Sequence, residues 1–153
     1  MIHKYYNKLM RTSVSYSPQV VLRSWLVGTF IAFSPFVGLH SIMALLSTWL
    51  LRLNIIIVFA VAYGINNPWT MIPIYLFEYG IGYAILHTML AIPIEQANPT
   101  WMVLVNEYIR RYVPIKGLSL WAFLLGGHIV SLVAVGISYI VVKRALQTHV
   151  DKQ

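Results

Sequence analysis

The stretch whose reading decides the fold is "YGINNPWTMIPIY", Tyr63 to Tyr75. Apolar runs flank it, "IIIVFAVAYGI" overlapping its start and "IYLFEYGIGYAILHTMLAI" its end, each suited to a lipid bilayer. Asn66, Asn67, Pro68, Thr70 and Pro73 are poor residues for an uninterrupted helix. The chain therefore breaks inside an apolar region. Each N–H or C=O freed by a break costs several kcal/mol if it faces hydrocarbon, so irregular backbone at depth must be surrounded by protein or line a watery cavity.

Working outward, the composition predicts an all-α integral membrane protein. Of 153 residues, 59% are hydrophobic and 10% charged, with a mean hydropathy of +0.72. A soluble domain of this length needs a more polar surface, a requirement that a lipid-facing exterior removes. The length supports one membrane domain over 1–153. Its parts are a basic N-terminal segment (1–17), two broken helical hairpins (18–92), an interfacial segment (93–117), a transmembrane helix (118–142) and a short mobile tail (143–153). The net charge of +7 comes from eleven Lys and Arg against four acids. These bases lie mainly at the edges of apolar segments, where they set topology and contact membrane lipids. No basic helix or aromatic–basic motif points to nucleic acid. The absence of cysteine excludes disulfides and thiolate chemistry. The basic N-terminus looks like the start of a signal peptide but lacks a small-x-small cleavage site, so it reads as retained.

A second interruption lies upstream, where "SPFVGLH" (Ser34 to His40) divides the apolar block Val20 to Leu51. Pro35 removes a helical donor and crowds the preceding turn, and Gly38 loosens the backbone again. Two helices are expected around it, over 18–33 and 40–52, the second closed by Arg52 and Asn54. Ile55 to Ile65 then reaches about 16 Å at 1.5 Å per residue, half of a hydrocarbon core about 30 Å thick. A helix beginning after Pro73 and ending at Pro93 is just long enough to cross. From Thr100 to Val113, Trp101, Leu104, Val105, Tyr108 and Tyr112 recur at helical spacing, with Asn106, Arg110 and Arg111 mostly off that face. This predicts an amphipathic helix in the interface, ended by Pro114. Leu118 to Val142 is a long proline-free apolar run, a transmembrane helix stopped by Lys143 and Arg144. Lys4, Lys8 and Arg11 at one end and Lys143 and Arg144 at the other favour cytoplasmic termini. Arg110, Arg111 and Lys116 favour the same side, yet one crossing separates them from Lys143, so one group breaks the rule.

The two breaks, each between apolar helices, are cheapest when they shelter each other from lipid. Paired breaks of this kind build midplane sites in several transporters. They gather Ser34, His40, Asn66, Asn67 and Thr70 as candidate substrate-binding residues, with Pro35, Gly38, Pro68 and Pro73 as structural breaks. Helices starting just after each break aim free N–H groups into the same space, which suits an anion. The structural alternative is that Asn and Ser side chains merely satisfy the groups proline releases.

Glu78, one turn into the helix after Pro73, is the sharpest single residue. A carboxylate deep in a span costs roughly 2.5–3.5 kcal/mol, so it needs a partner or a pore. It reads as a proton-coupling carboxylate, or else as an interfacial Glu paired with Arg23 or Arg52. His87, nine positions on, points to the opposite side of an α-helix. Gly127, Ser131, Ala134 and Ser138 form a small-residue stripe that reads as a packing seam. His3, His40, His87, His128 and His149 show no ligand spacing, so no metal or other cofactor is implied. Without GxSxG, HExxH, a P-loop or paired carboxylates, an enzyme is disfavoured.

"FIAFSPFVGLHSIMALLSTWLLRLN" followed by "YGINNPWTMIPIYLFEYGIG" resembles the bacterial membrane-domain family known as domain of unknown function 2062. The matching residues are Ser34, Pro35, Gly38, His40, Arg52, Asn54, Asn67, Pro68, Thr70 and Pro73, within about Ser17 to Ile92. The resemblance implies a small bacterial inner-membrane protein, attached in some relatives to a glycosyltransferase domain, and brings no established activity. The expected function is a multi-pass transporter or flippase for an anionic lipid headgroup, such as a polyprenyl phosphate. The alternatives are a module that docks a partner such as a glycosyltransferase through the small-residue face of the last helix, and a small ion or proton channel. A homodimer is expected, since so few helical pieces hardly enclose a cavity alone.

Overall fold

The computed structural model describes residues 17–93, 98–112 and 117–150, the side chains of 148–150 excepted. The basic N-terminal segment with His3, and Glu95, Val113, Pro114, Lys116 and the side chain of His149, lie outside the described residues. All regular structure among the described residues is helical.

Local chemistry sets each element. Helix α1 (Pro18–Ala32) starts where Ser17 accepts from the Val20 amide with proline in the first turn, and it stops at Phe33, ahead of Pro35. Helix α2 (His40–Leu51) is closed by Arg52 in the left-handed region at φ 52, an uncommon conformation for a side chain of this size. Helix α3 (Ile55–Ile65) opens on Asn54, whose Oδ1 accepts from the Ile56 and Ile57 amides at 2.9 and 3.2 Å. Asn54 thus caps the third helix instead of closing the second.

Helix α4 (Met71–Tyr83) begins before Pro73, not after it. Pro73 sits in the first turn, where a missing N–H leaves nothing unsatisfied. It is therefore a helix starter and not a break. The helix continues as a π-helical segment, Ala84–Met89. Helix α5 (Thr100–Arg110) is the amphipathic piece. Helix α6 (Leu120–Val150) runs well past Val142, since Lys143 and Arg144 end the apolar run but are good helix formers. The expected mobile tail is therefore helical through 150.

Side-chain pairings define the topology. Trp25 donates to Ser138 at 3.0 Å, while farther along α1 the Phe33 carbonyl meets Ser131, so α1 and α6 are antiparallel. Asn54 meets Ser24 and Asn66 meets Ala32, so α3 runs parallel to α1, with α2 returning between them. Helix α4 pairs antiparallel with the first part of α6, Gly82 lying on Ala122 and Gly126, and Glu78 on Gly126. Helix α1 therefore lies along the second half of α6 and α4 along the first half, while α3 packs against α1 and α2. Both interruptions fall near the middle of α6.

The packing is inverted relative to a soluble core. Ile31, Ala44, Val58 and Ala62 form a small apolar cluster, but Ser24, Thr29, Ser34, Asn66, Glu78 and Ser131 are as deeply buried. Trp49, Ile56 and Leu50 stand outward at 79%, 72% and 73% exposure. Among the described residues one helix, Leu120–Gln147, is long and apolar enough to cross a membrane, and α2 and α3 are shorter apolar helices.

Candidate functional site

At the end of α1 three successive carbonyls, Ala32, Phe33 and Ser34, lie where the helix stops. Each is met by a different element. Asn66, at the end of α3, donates Nδ2–H to the Ala32 carbonyl at 2.7 Å and to the Tyr75 hydroxyl at 3.1 Å. Ser131 of α6 shares its single hydroxyl proton between the Phe33 carbonyl at 2.7 Å and the Gly127 carbonyl at 2.6 Å. The His40 ring, at the start of α2, donates Nε2–H to the Ser34 carbonyl at 3.2 Å. The first interruption is thus satisfied from three sides, and Asn66 ties it to the second. Pro35 is buried with its ring against Gly127, where any Cβ would overlap it. Gly38 takes φ +82 in an exposed turn.

The second interruption is largely self-contained. Asn67 Oδ1 accepts from the Trp69 and Thr70 amides at 3.0 and 3.2 Å, and its Nδ2–H donates to the Gly64 carbonyl. Thr70 Oγ1 donates to the Ile65 carbonyl and accepts from the Asn67 amide. Asn67 and Thr70 are half-buried, and Pro68 and Trp69 are exposed. Ser34, His40 and Asn66 therefore gather around the end of α1, whereas Asn67 and Thr70 bond within their own turn. Helices α2 and α4, which start at the two interruptions, carry no side-chain cap at their N-termini.

Glu78 is fully buried, and among the described residues neither carboxylate oxygen has a hydrogen-bond partner. Arg23 and Arg52, the partners the sequence offers, are both exposed. The backbone of Glu78 is pressed against Gly126, and Gly82 against Ala122. One turn earlier on the same helix, the Tyr75 hydroxyl accepts from Asn66 Nδ2–H. The arrangement is a buried acid beside the joint between two chain interruptions. An ionised carboxylate without a counterpart is among the costliest buried groups, so Glu78 needs a proton or a donor brought by a ligand.

Tyr75 and Ser24 were not singled out by sequence, and Ser131 only as part of the small-residue stripe. Tyr75 lies one turn before Glu78 on the same helix, a spacing that could have pointed to it. The small-residue stripe is a seam: Gly127 takes Pro35, Ser131 takes Phe33, and Ser138 takes Trp25 and Thr29. Asn106 holds both the N–H and the C=O of Leu118, and Asn98 also bonds the Leu118 carbonyl. These contacts fix α5 to the start of α6.

A family model described as "Uncharacterized protein conserved in bacteria", domain of unknown function 2062, matches residues 1–153. The match extends past Pro93, beyond the segment in which the motifs occur. No curated protein matches, and no solved structure does.

Proposed function

This chain belongs to the family of domain of unknown function 2062, which assigns no activity, and from that premise we propose a proton-linked membrane carrier for an anionic lipid headgroup. The observation that carries the reading is Glu78, sealed and unpaired beside the joint of two interrupted segments. Ionisable groups at such depth are rare and mark proton relays or substrate paths. In this reading the protein lies in the bacterial inner membrane. Helices α1 and α2 form a re-entrant hairpin, α3 and α4 a discontinuous span, and α6 a continuous one. The outward Trp49, Ile56 and Leu132 are lipid contacts, and the buried polar residues are the bundle interior.

The anionic preference rests on the N-termini of α2 and α4, which carry no side-chain cap and start just after the two interruptions. Helix N-termini favour phosphate or carboxylate. His40 and Asn67, both half-buried, are the side chains best placed to reach such a headgroup. The test is reconstitution in liposomes containing a fluorescent short-chain polyprenyl phosphate, with a pH gradient imposed. Movement between leaflets should follow the gradient in the wild type and be abolished by Glu78→Gln. Movement that persists in that variant ends the reading. A carrier role is favoured over docking through the small-residue face of α6, because α1 and Pro35 already cover that face.

A further inference from the structure

Helix α5 carries its polarity the wrong way round for a protein in water. Val103, Asn106, Glu107 and Arg110 follow one another at three- and four-residue steps, so they share a face. That face is turned toward the chain: Asn106 is buried and holds both the N–H and the C=O of Leu118 at 2.8 Å. The opposite face presents Trp101, Leu104 and Tyr108 outward, each more than half exposed. A helix at a water boundary buries its apolar stripe and shows its polar one. The reverse arrangement suits a helix whose outer side meets acyl chains.

The attachments of α5 set its depth. Asn98 bonds the Leu118 carbonyl and the Leu120 amide, and Asn106 bonds Leu118. Leu120 is also where the helix long and apolar enough to cross a membrane begins. Helix α5 therefore lies level with the point at which α6 enters the bilayer, the layer occupied by headgroups.

The polar face lines a cleft of about 290 Å3, walled by Val103, Asn106, Glu107 and Arg110. Ligand clefts start at about 300 Å3, so there is room for a headgroup and not for a whole lipid. Glu107 and Arg110 are both exposed, and three residues apart on a helix their Cβ atoms are about 5–6 Å from each other. Gly117, at φ +105, makes room for this wall, because a Cβ there would come within 3.3 Å of Arg110 Nη2 and of the Asn106 amide.

One wall thus carries a carboxylate and a guanidinium side by side. A phosphate alone is drawn by Arg110 and repelled by Glu107. A phosphate joined through two carbons to a primary ammonium satisfies both. The guanidinium has five N–H donors, so it can hold a phosphate and keep its bonds within the chain.

We propose that this cleft binds the headgroup of a phosphoethanolamine lipid, its phosphate on Arg110 and its ammonium on Glu107. The acyl chains lie in the same hydrocarbon layer as Trp101, Leu104 and Tyr108. The site is separate from the joint of the two interruptions. It rests on the membrane placement and not on carrier activity.

The test titrates the full-length protein in detergent with defined lipids and reads bound lipid by native mass spectrometry. Phosphatidylethanolamine should bind at least about tenfold more tightly than phosphatidylglycerol, which lacks the ammonium; one charge-assisted hydrogen bond supplies that factor. Glu107→Gln should remove the preference, and Arg110→Gln should weaken both lipids about tenfold. Glu107 is exposed and takes no part in the tie to Leu118, so Glu107→Gln carries the test should Arg110→Gln not fold. Wild-type affinities for the two lipids within about twofold of each other, or a preference unchanged in Glu107→Gln, would overturn the proposal. So would soluble phosphoethanolamine binding as tightly as the lipid, which would make the cleft a site for a free small molecule. Each of these results leaves the reading of Glu78 standing.

Discussion

Where α1 stops, Ala32 O, Phe33 O and Ser34 O are held by Asn66, Ser131 and His40. At the residue scale this makes the three donors unequal to their neighbours. Asn66→Ala leaves the buried Ala32 carbonyl unmet and should cost about 1–3 kcal/mol, read as a lowered unfolding temperature in detergent. Asn67→Ala removes bonds confined to a half-buried turn. It should cost less, about 0.5–1.5 kcal/mol in the same assay, and an equal or larger loss would put the joint at the wrong asparagine. Sequence shows that the pair Asn66-Asn67 belongs to a break. It cannot show which of two adjacent amides turns inward, because a break has no periodicity from which to read a face. Glu78 was legible for the opposite reason, being one of four acids in an apolar chain.

At the scale of elements, α4 and α6 approach until backbone meets backbone. A Cβ on Gly82 would overlap the Ala122 carbonyl, and one on Gly126 the Glu78 carbonyl. Gly82→Ala and Gly126→Ala should therefore force the helices apart and cost about 1–3 kcal/mol each. Gly136, on the same helix, has open space around it, and Gly136→Ala should be neutral or gain up to about 1 kcal/mol from helix propensity. Thermal unfolding of the three purified variants checks the contrast, and indifference at Gly82 and Gly126 would contradict the close seam. Helix limits in the first half of the chain were readable because Pro, Ser and Asn act locally on one turn. The π-helical segment was not, since the sequence Ala84–Met89 reads as an ordinary apolar helix and the wider turn comes with the fold-back at Ala91.

The whole molecule makes a topological statement. The start of α1 and the later part of α6 lie at one end, as the pairing of Trp25 with Ser138 requires. Helix α5, tied to the start of α6 through Asn98 and Asn106, lies at the other. The chain has no cysteine, so single-Cys variants can report sidedness directly. In the membrane reading, Ser17→Cys and Gln147→Cys should react with an impermeant maleimide from one side of oriented vesicles and Tyr112→Cys from the other. Labelling of Tyr112→Cys from the same side as the other two would refute the discontinuous span.

The sequence by itself determined that the chain is helical and apolar, where its two interruptions fall, and that one carboxyl group is out of place, because composition and proline act locally. Tertiary structure decided that the interruptions meet, that Asn66 and not Asn67 joins them, and that Arg23 and Arg52 stay exposed while Glu78 is buried. Those outcomes depend on which backbones glycine lets come together, a property of pairs of helices that no single stretch of chain encodes.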